Sequence, residues 1–116
     1  MVGDFNSDPR DVEEIPGLRP PYQIFADDYV DVWTLRPGAR TGKGAPLVGY
    51  TCCQAEDLTN HRSELYERID LIFSLATPKK VKDARLLGES VADKTPPPGP
   101  RLWPSDHASV AARLQY

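Results

Sequence analysis

Glu67-Arg68-Ile69-Asp70-Leu71-Ile72-Phe73-Ser74-Leu75 is the stretch on which the fold turns. Ile69, Leu71, Phe73 and Leu75 alternate with Arg68, Asp70, Ile72 and Ser74. Successive side chains of an extended chain point to opposite faces, so this period of two predicts a strand with an apolar row on one side. Asp70 then stands on the face away from the Ile69 row.

Working outward, Val81 to Gly88 predicts another strand, followed by a loop rich in proline (Pro96, Pro97, Pro98, Pro100). Ala108, Val110, Ala112 and Leu114 alternate with His107, Ser109, Ala111 and Arg113, which predicts a terminal strand. On the N-terminal side, residues 54–64 are polar and irregular, and Val48 to Cys53 predicts a short strand. Arg36 to Pro46 reads as a loop. A helix is predicted from Pro21, an acceptable first-turn residue because no N–H partner is needed there. Phe25, Tyr29, Val32 and Trp33 fall at i, i+4, i+7 and i+8 on one apolar face of that helix, and Pro37-Gly38 ends it. Met1-Val2 reads as the stub of a strand leading into Gly3-Asp4-Phe5-Asn6. A strand, a helix and then several strands make an α/β (α+β) layer, a mixed sheet with a flanking helix.

Composition bounds what such a layer does. The 116 residues suffice for one small domain. A net charge of -3 excludes a broadly basic protein that holds nucleic acid by charge alone. It leaves open an enzyme acting on phosphate esters, because a bound divalent cation reverses the local charge of a carboxylate-rich site. No apolar run is long enough to span a bilayer and no basic-then-apolar leader opens the chain, so as written it reads as cytoplasmic. Cys52 and Cys53 are adjacent. A bridge between neighbours is strained, and the sequence spacing offers no further Cys or paired His for zinc, so they read as a small apolar pair in a strand.

Three segments carry chemistry: Gly3-Asp4-Phe5-Asn6, Arg68-Ile69-Asp70 and Ser105-Asp106-His107. Each puts polar groups at the end of a predicted strand, where rigidly held loops gather functional side chains. Phosphate-ester hydrolysis needs a group to orient or deprotonate water, a cation on the phosphoryl oxygens and neutral donors to them. Asp4, Asp70, Asp106, Asn6 and His107 form a partial set of this kind. Asp27, Asp28 and Asp31 read as the wet face of the helix, with Asp31 able to support the site. Lys79, Lys80 and Lys82 read as the protection of an edge strand. Trp33 and Trp103 read as packing residues, and Arg101 and Trp103 are placed to line a substrate mouth.

In this order the segments resemble the endonuclease/exonuclease/phosphatase superfamily, which includes apurinic endonucleases, pancreatic-type deoxyribonuclease, bacterial sphingomyelinases and inositol polyphosphate phosphatases. Gly3 to Pro9 (GDFNSDP), Asp31-Val32-Trp33, Gly49-Tyr50-Thr51-Cys52 and Glu67 to Phe73 (ERIDLIF) extend the likeness over the chain, with its bacterial branch in particular. The resemblance implies the C-terminal half of a four-layer α/β/β/α sandwich. It implies that Asp4 positions the attacking water and is a candidate metal ligand, that Asn6 hydrogen-bonds the scissile phosphate, and that His107 acts as general base or transition-state donor. Asp70 would orient His107, and Asp106 would be a further candidate metal ligand. The implied cofactor is Mg2+ (or Mn2+ or Ca2+), a hard cation suited to oxygen ligands. The implied substrate is a phosphate ester, whether nucleic acid, phospholipid headgroup or inositol phosphate. The family's pattern begins upstream with an asparagine, a metal-binding glutamate and a histidine that have no counterpart here. The expectation is therefore a partial domain over residues 1–116, incomplete as an isolated chain. The alternative is a non-catalytic binding fragment, or a half-domain completed by a partner chain or the missing N-terminal half.

Overall fold

A computed structural model describes residues 1–39 and 49–116. In chain order it has β1 (Val2–Asp4), α1 (Pro21–Asp28), β2 (Val30–Asp31), a 3-10 turn (Val32–Leu35), β3 (Asp70–Ser74), β4 (Lys80–Leu87), a second 3-10 turn (Val91–Asp93) and β5 (Ser109–Gln115). The chain is a small α+β protein. Val48 and most of the glycine-rich loop after Arg36 lie outside the described residues.

β3 is the centre of a three-stranded sheet of order β1-β3-β2, and β4 pairs with β5 in a two-stranded sheet. Val2, Gly3 and Asp4 face Ile72, Leu71 and Asp70, while Val30 and Asp31 face Ser74 and Phe73. Every one of these pairings is antiparallel, as is β4 with β5. The expected mixed sheet is thus corrected to two antiparallel ones among the described residues. The physical reason lies in the insertion of β3. β1 and β2 run the same way and are joined through α1, but β3 separates them, so no parallel pair is hydrogen-bonded.

The helix is also shorter than its apolar spacing predicts. It begins at Pro21 but ends at Asp28, and Tyr29 is already extended. Two acidic residues, Asp27 and Asp28, close it at the end where the helix dipole disfavours negative charge. Beyond them Val30 and Asp31 are drawn into pairing with β3. Asp31 is not on a wet face. It is 5% exposed, accepts from Trp33 N (3.1 Å) to cap the 3-10 turn, and accepts from Tyr22 Oη (2.9 Å) and Arg68 Nη2 (2.6 Å). Burial and the Asp31 carboxylate push the Tyr22 phenol up to about 12, so it remains a donor at neutral pH.

The core follows from these pairings. Ile69, Leu71 and Phe73 are buried, as the alternation requires, but Leu75 lies past the end of β3 and is 77% exposed. Phe73 meets Phe5 edge-on at 5.2 Å and stacks with Phe25 of α1 at 5.8 Å. Such aromatic pairs fix the helix over the sheet by about 0.5–1.5 kcal/mol each beyond their buried area. Trp103 is buried and donates from Nε1 to Asn60 O (2.8 Å). It packs the segment before Ser105-Asp106-His107 and does not line a mouth.

Candidate active site

Asp4 ends β1 and Asp70 begins β3, opposite each other in the antiparallel register. Opposed residues share a face, and two carboxylates there repel. His107 reaches one of the two. Its Nδ1 lies 2.8 Å from Asp70 Oδ2, with both side chains only part-exposed. Burial alone would lower the His107 pKa. The Asp70 hydrogen bond and charge, helped by the charges of Asp106 and Asp4, outweigh burial and raise it above the ordinary 6.5.

A short run of extended backbone brings these groups together. Cys52 forms single bridges with both Glu67 and His107. Thr51 N donates to Glu67 O (2.7 Å), Ala108 N to Thr51 O (2.8 Å) and Gln54 N to Asp106 O (2.8 Å). The strand expected from Val48 to Cys53 is therefore present in its described part as bridges alone. Thr51 is fully buried, and its hydroxyl accepts from Ile69 N (3.1 Å) and Asp70 N (3.0 Å). One side chain thus fixes the backbone of Asp70, and its own carbonyl fixes the residue after His107. The sequence reading gave Thr51 no role. Its only signal was a β-branched hydroxyl in a short strand.

The remaining groups sit at the exposed rim. Asn6 has a positive φ of 47°, a conformation that asparagine tolerates better than most residues, and its N–H donates to Asp4 Oδ1 (2.8 Å). Ser105 Oγ accepts from His107 N (3.1 Å) and donates to Asp106 Oδ1 (3.2 Å), so a local turn sets the histidine backbone. His107 lines two open cavities. One, of about 370 Å³, has Gly3, Asp70 and Ser109 in its wall, and the other, of about 420 Å³, has Gly88, Asp93 and Ser105. A larger cavity of about 750 Å³ lies between residues 10 and 24 and contains none of these groups.

The Nε2 edge of the imidazole meets sulfur. Cys52 and Cys53 are joined as a vicinal disulfide, not two separate thiols, and Cys53 Sγ lies 3.9 Å from His107 Nε2. Among the described residues, Cys52, Cys53 and His107 are the one set of three such groups close enough to share a metal ion. Among the described residues, no set of three Asp, Glu, His or Cys groups that includes Asp4 or Asp106 lies close enough to share an ion. No described helix is long and apolar enough to cross a membrane. Comparison with protein-family models, with curated proteins and with solved structures gave no match, so the site stands on its geometry and chemistry alone.

Proposed function

We propose that this chain is the C-terminal half of a metal-dependent phosphoesterase of the endonuclease/exonuclease/phosphatase kind, built on a four-layer α/β/β/α sandwich. The observation that carries the reading is the 2.8 Å contact of His107 Nδ1 with Asp70 Oδ2. A nitrogen facing a carboxylate keeps its proton, which leaves Nε2 of the neutral ring unprotonated and able to accept one. His107 then acts as general base on the attacking water, and Asp70 orients the ring and stabilises the imidazolium that forms. Asp4, directly opposite Asp70 in the register of β1 and β3, holds the water, and Asn6 donates to the phosphoryl oxygens. The oxygen expelled from phosphorus leaves with a proton returned by the imidazolium.

The Mg2+ (or Mn2+ or Ca2+) of the resemblance needs oxygen donors beyond Asp4 and Asp106, supplied from outside the described residues, and no step is routed through it here. Two further observations favour incompleteness. The radius of gyration, 15.6 Å, exceeds the roughly 13 Å expected of a compact domain this long. Val2, Val12, Ile15, Leu18 and Ile24 are all more than half exposed. The same two observations favour the second reading, a half-domain that binds without catalysis and is completed by a partner chain. The substrate is a phosphate ester, with nucleic acid, phospholipid headgroup and inositol phosphate all compatible, since the shared groups address the phosphate and variable loops address the rest.

Hydrolysis of a chromogenic phosphodiester and phosphomonoester with magnesium, by the product of the whole reading frame and its His107→Ala variant, separates the two readings. The catalytic reading expects turnover that falls about 10²–10⁴-fold in the variant. A folded variant with unchanged turnover, or no hydrolysis at all, leaves the binding reading.

A further inference from the structure

Away from His107, a cavity of about 490 Å³ opens beside the proline-rich loop. Its wall carries His61, Lys94 and Arg101 and no Asp or Glu, and Val91, Pro100 and Leu102 supply its apolar part. Hydrogen bonds across the base of the loop bring the two cations to this one wall. Thr95 N–H donates to Leu102 O (2.9 Å), Leu102 N–H donates to Thr95 Oγ1 (2.9 Å), and Thr95 Oγ1 donates to Pro100 O (2.8 Å). Lys94 and Arg101 directly precede the paired residues Thr95 and Leu102, so backbone pairing sets their places.

Lys94 is only 7% exposed, and a lysine so buried is ordinarily paired with an opposite charge. Among the described residues, neither Lys94 nor Arg101 forms an ion pair with a carboxylate. Lys94 Nζ donates to Asn60 O (2.8 Å) and stands 5.1 Å from the centroid of the Trp103 ring, while Arg101 Nη2 donates to Val91 O (2.9 Å). These partners are neutral and leave both positive charges uncompensated. An ammonium has three N–H donors and a guanidinium five, more than these contacts use. The acids nearest in sequence are engaged elsewhere. Asp93 Oδ2 accepts from Ser90 N (3.0 Å), and Asp57 Oδ1 accepts from Thr59 N (3.0 Å) and Thr59 Oγ1 (2.9 Å).

We propose that this cavity binds an organic phosphate monoester, with Lys94 and Arg101 on the phosphate and Val91, Pro100 and Leu102 against the organic group. A phosphate dianion balances the two positive charges, and charge-assisted hydrogen bonds from guanidinium and ammonium are the strong ones for phosphate oxygens. His61 adds a ring N–H donor at the same wall. The volume lies within the roughly 300–1,000 Å³ of small-molecule sites, more than a bare phosphate ion fills. The 3-10 turn Val91–Asp93 contributes Val91 to this wall and Asp93 to the cavity beside His107. The two cavities are thus distinct, and the anion site does not depend on the phosphoesterase reading.

The test is titration of the full chain with phenyl phosphate in the presence of a metal chelator, followed by the amide NMR signals of residues 94–103. Saturable shifts of those signals are expected, with weaker binding of inorganic phosphate and none of uncharged phenol. Arg101→Gln and Lys94→Met are each expected to weaken binding about 10–100-fold, the loss of one charged hydrogen bond. His107→Ala is expected to leave it unchanged. Arg101 is exposed, so its variant carries the test if Lys94→Met does not fold. Absence of shifts in the folded wild type overturns the proposal. Undiminished binding by folded Arg101→Gln, loss of binding in folded His107→Ala, or inorganic phosphate binding as tightly as phenyl phosphate does so too. A chain that binds phenyl phosphate here yet hydrolyses no phosphate ester with magnesium upholds this site while rejecting the enzyme.

Discussion

His107 is set by two neighbours that act on different parts of it. Asp70 holds the ring, and Thr51 holds both Asp70 N–H (3.0 Å) and, through its carbonyl, Ala108 N–H (2.8 Å). Thr51→Val keeps the shape but strands the buried N–H groups of Ile69 and Asp70, so unfolding free energy should drop by about 1–3 kcal/mol for each donor left unpaired. Thr51→Ser retains the acceptor and should lose far less, a contrast readable in urea melts. Asp70→Asn removes the charge that raises His107, so the histidine pKa should fall, as followed by its imidazole NMR signals. The linkage has a definite sign. A group whose folded pKa is raised contributes stability that is fully present below its unfolded pKa of about 6.5 and is lost as pH rises through the higher folded value. Wild-type stability should therefore decline through the window above pH 6.5, and Asp70→Asn should flatten that decline.

At the scale of elements, β3 organises the molecule, and its partners explain where the sequence was legible. Its apolar row, Ile69, Leu71 and Phe73, is buried as a period of two requires. β4 and β5 likewise fall within a residue or two of the stretches predicted for them. The helix was misread beyond Asp28 because Val32 and Trp33 are buried from a 3-10 turn that happens to share helical spacing with Phe25. What overrides the helix is non-local. Arg68, far along the chain, forms a buried ion pair with Asp31 at 2.6 Å, and no local pattern announces it. From the residues alone Asp70 and His107 were legible only as polar groups at predicted strand ends, and their pairing was expected only from the family resemblance. The approach of the Cys52–Cys53 pair to His107 was not legible, because sequence separation hid a neighbour 54 residues away. Asp31→Ala leaves Arg68 buried and without its carboxylate, so it should destabilise by about 3–5 kcal/mol, measured by denaturant unfolding. A loss below about 1 kcal/mol, the range of a surface pair, would place that ion pair at the surface energetically.

The whole molecule presents large apolar side chains outward, with Val2 and Val12 both 70% exposed. Such surface is ordinarily covered, and exposed apolar patches promote association. The isolated chain should sediment with a concentration-dependent coefficient, and a strictly monomeric species at all concentrations would contradict the half-domain reading. A net charge of -3 offers no general attraction to polyanions, so the proposed phosphoesterase reading rests recognition of its substrate on the site around His107 and a cation. The most direct measurement is magnesium-dependent hydrolysis of bis(p-nitrophenyl) phosphate and p-nitrophenyl phosphate by the product of the whole reading frame, wild type beside His107→Ala, with circular dichroism to show that both are folded. The proposed reading predicts hydrolysis that falls by about 10²–10⁴-fold in the variant. No hydrolysis by the folded wild type, or an equal rate in the folded variant, would contradict it.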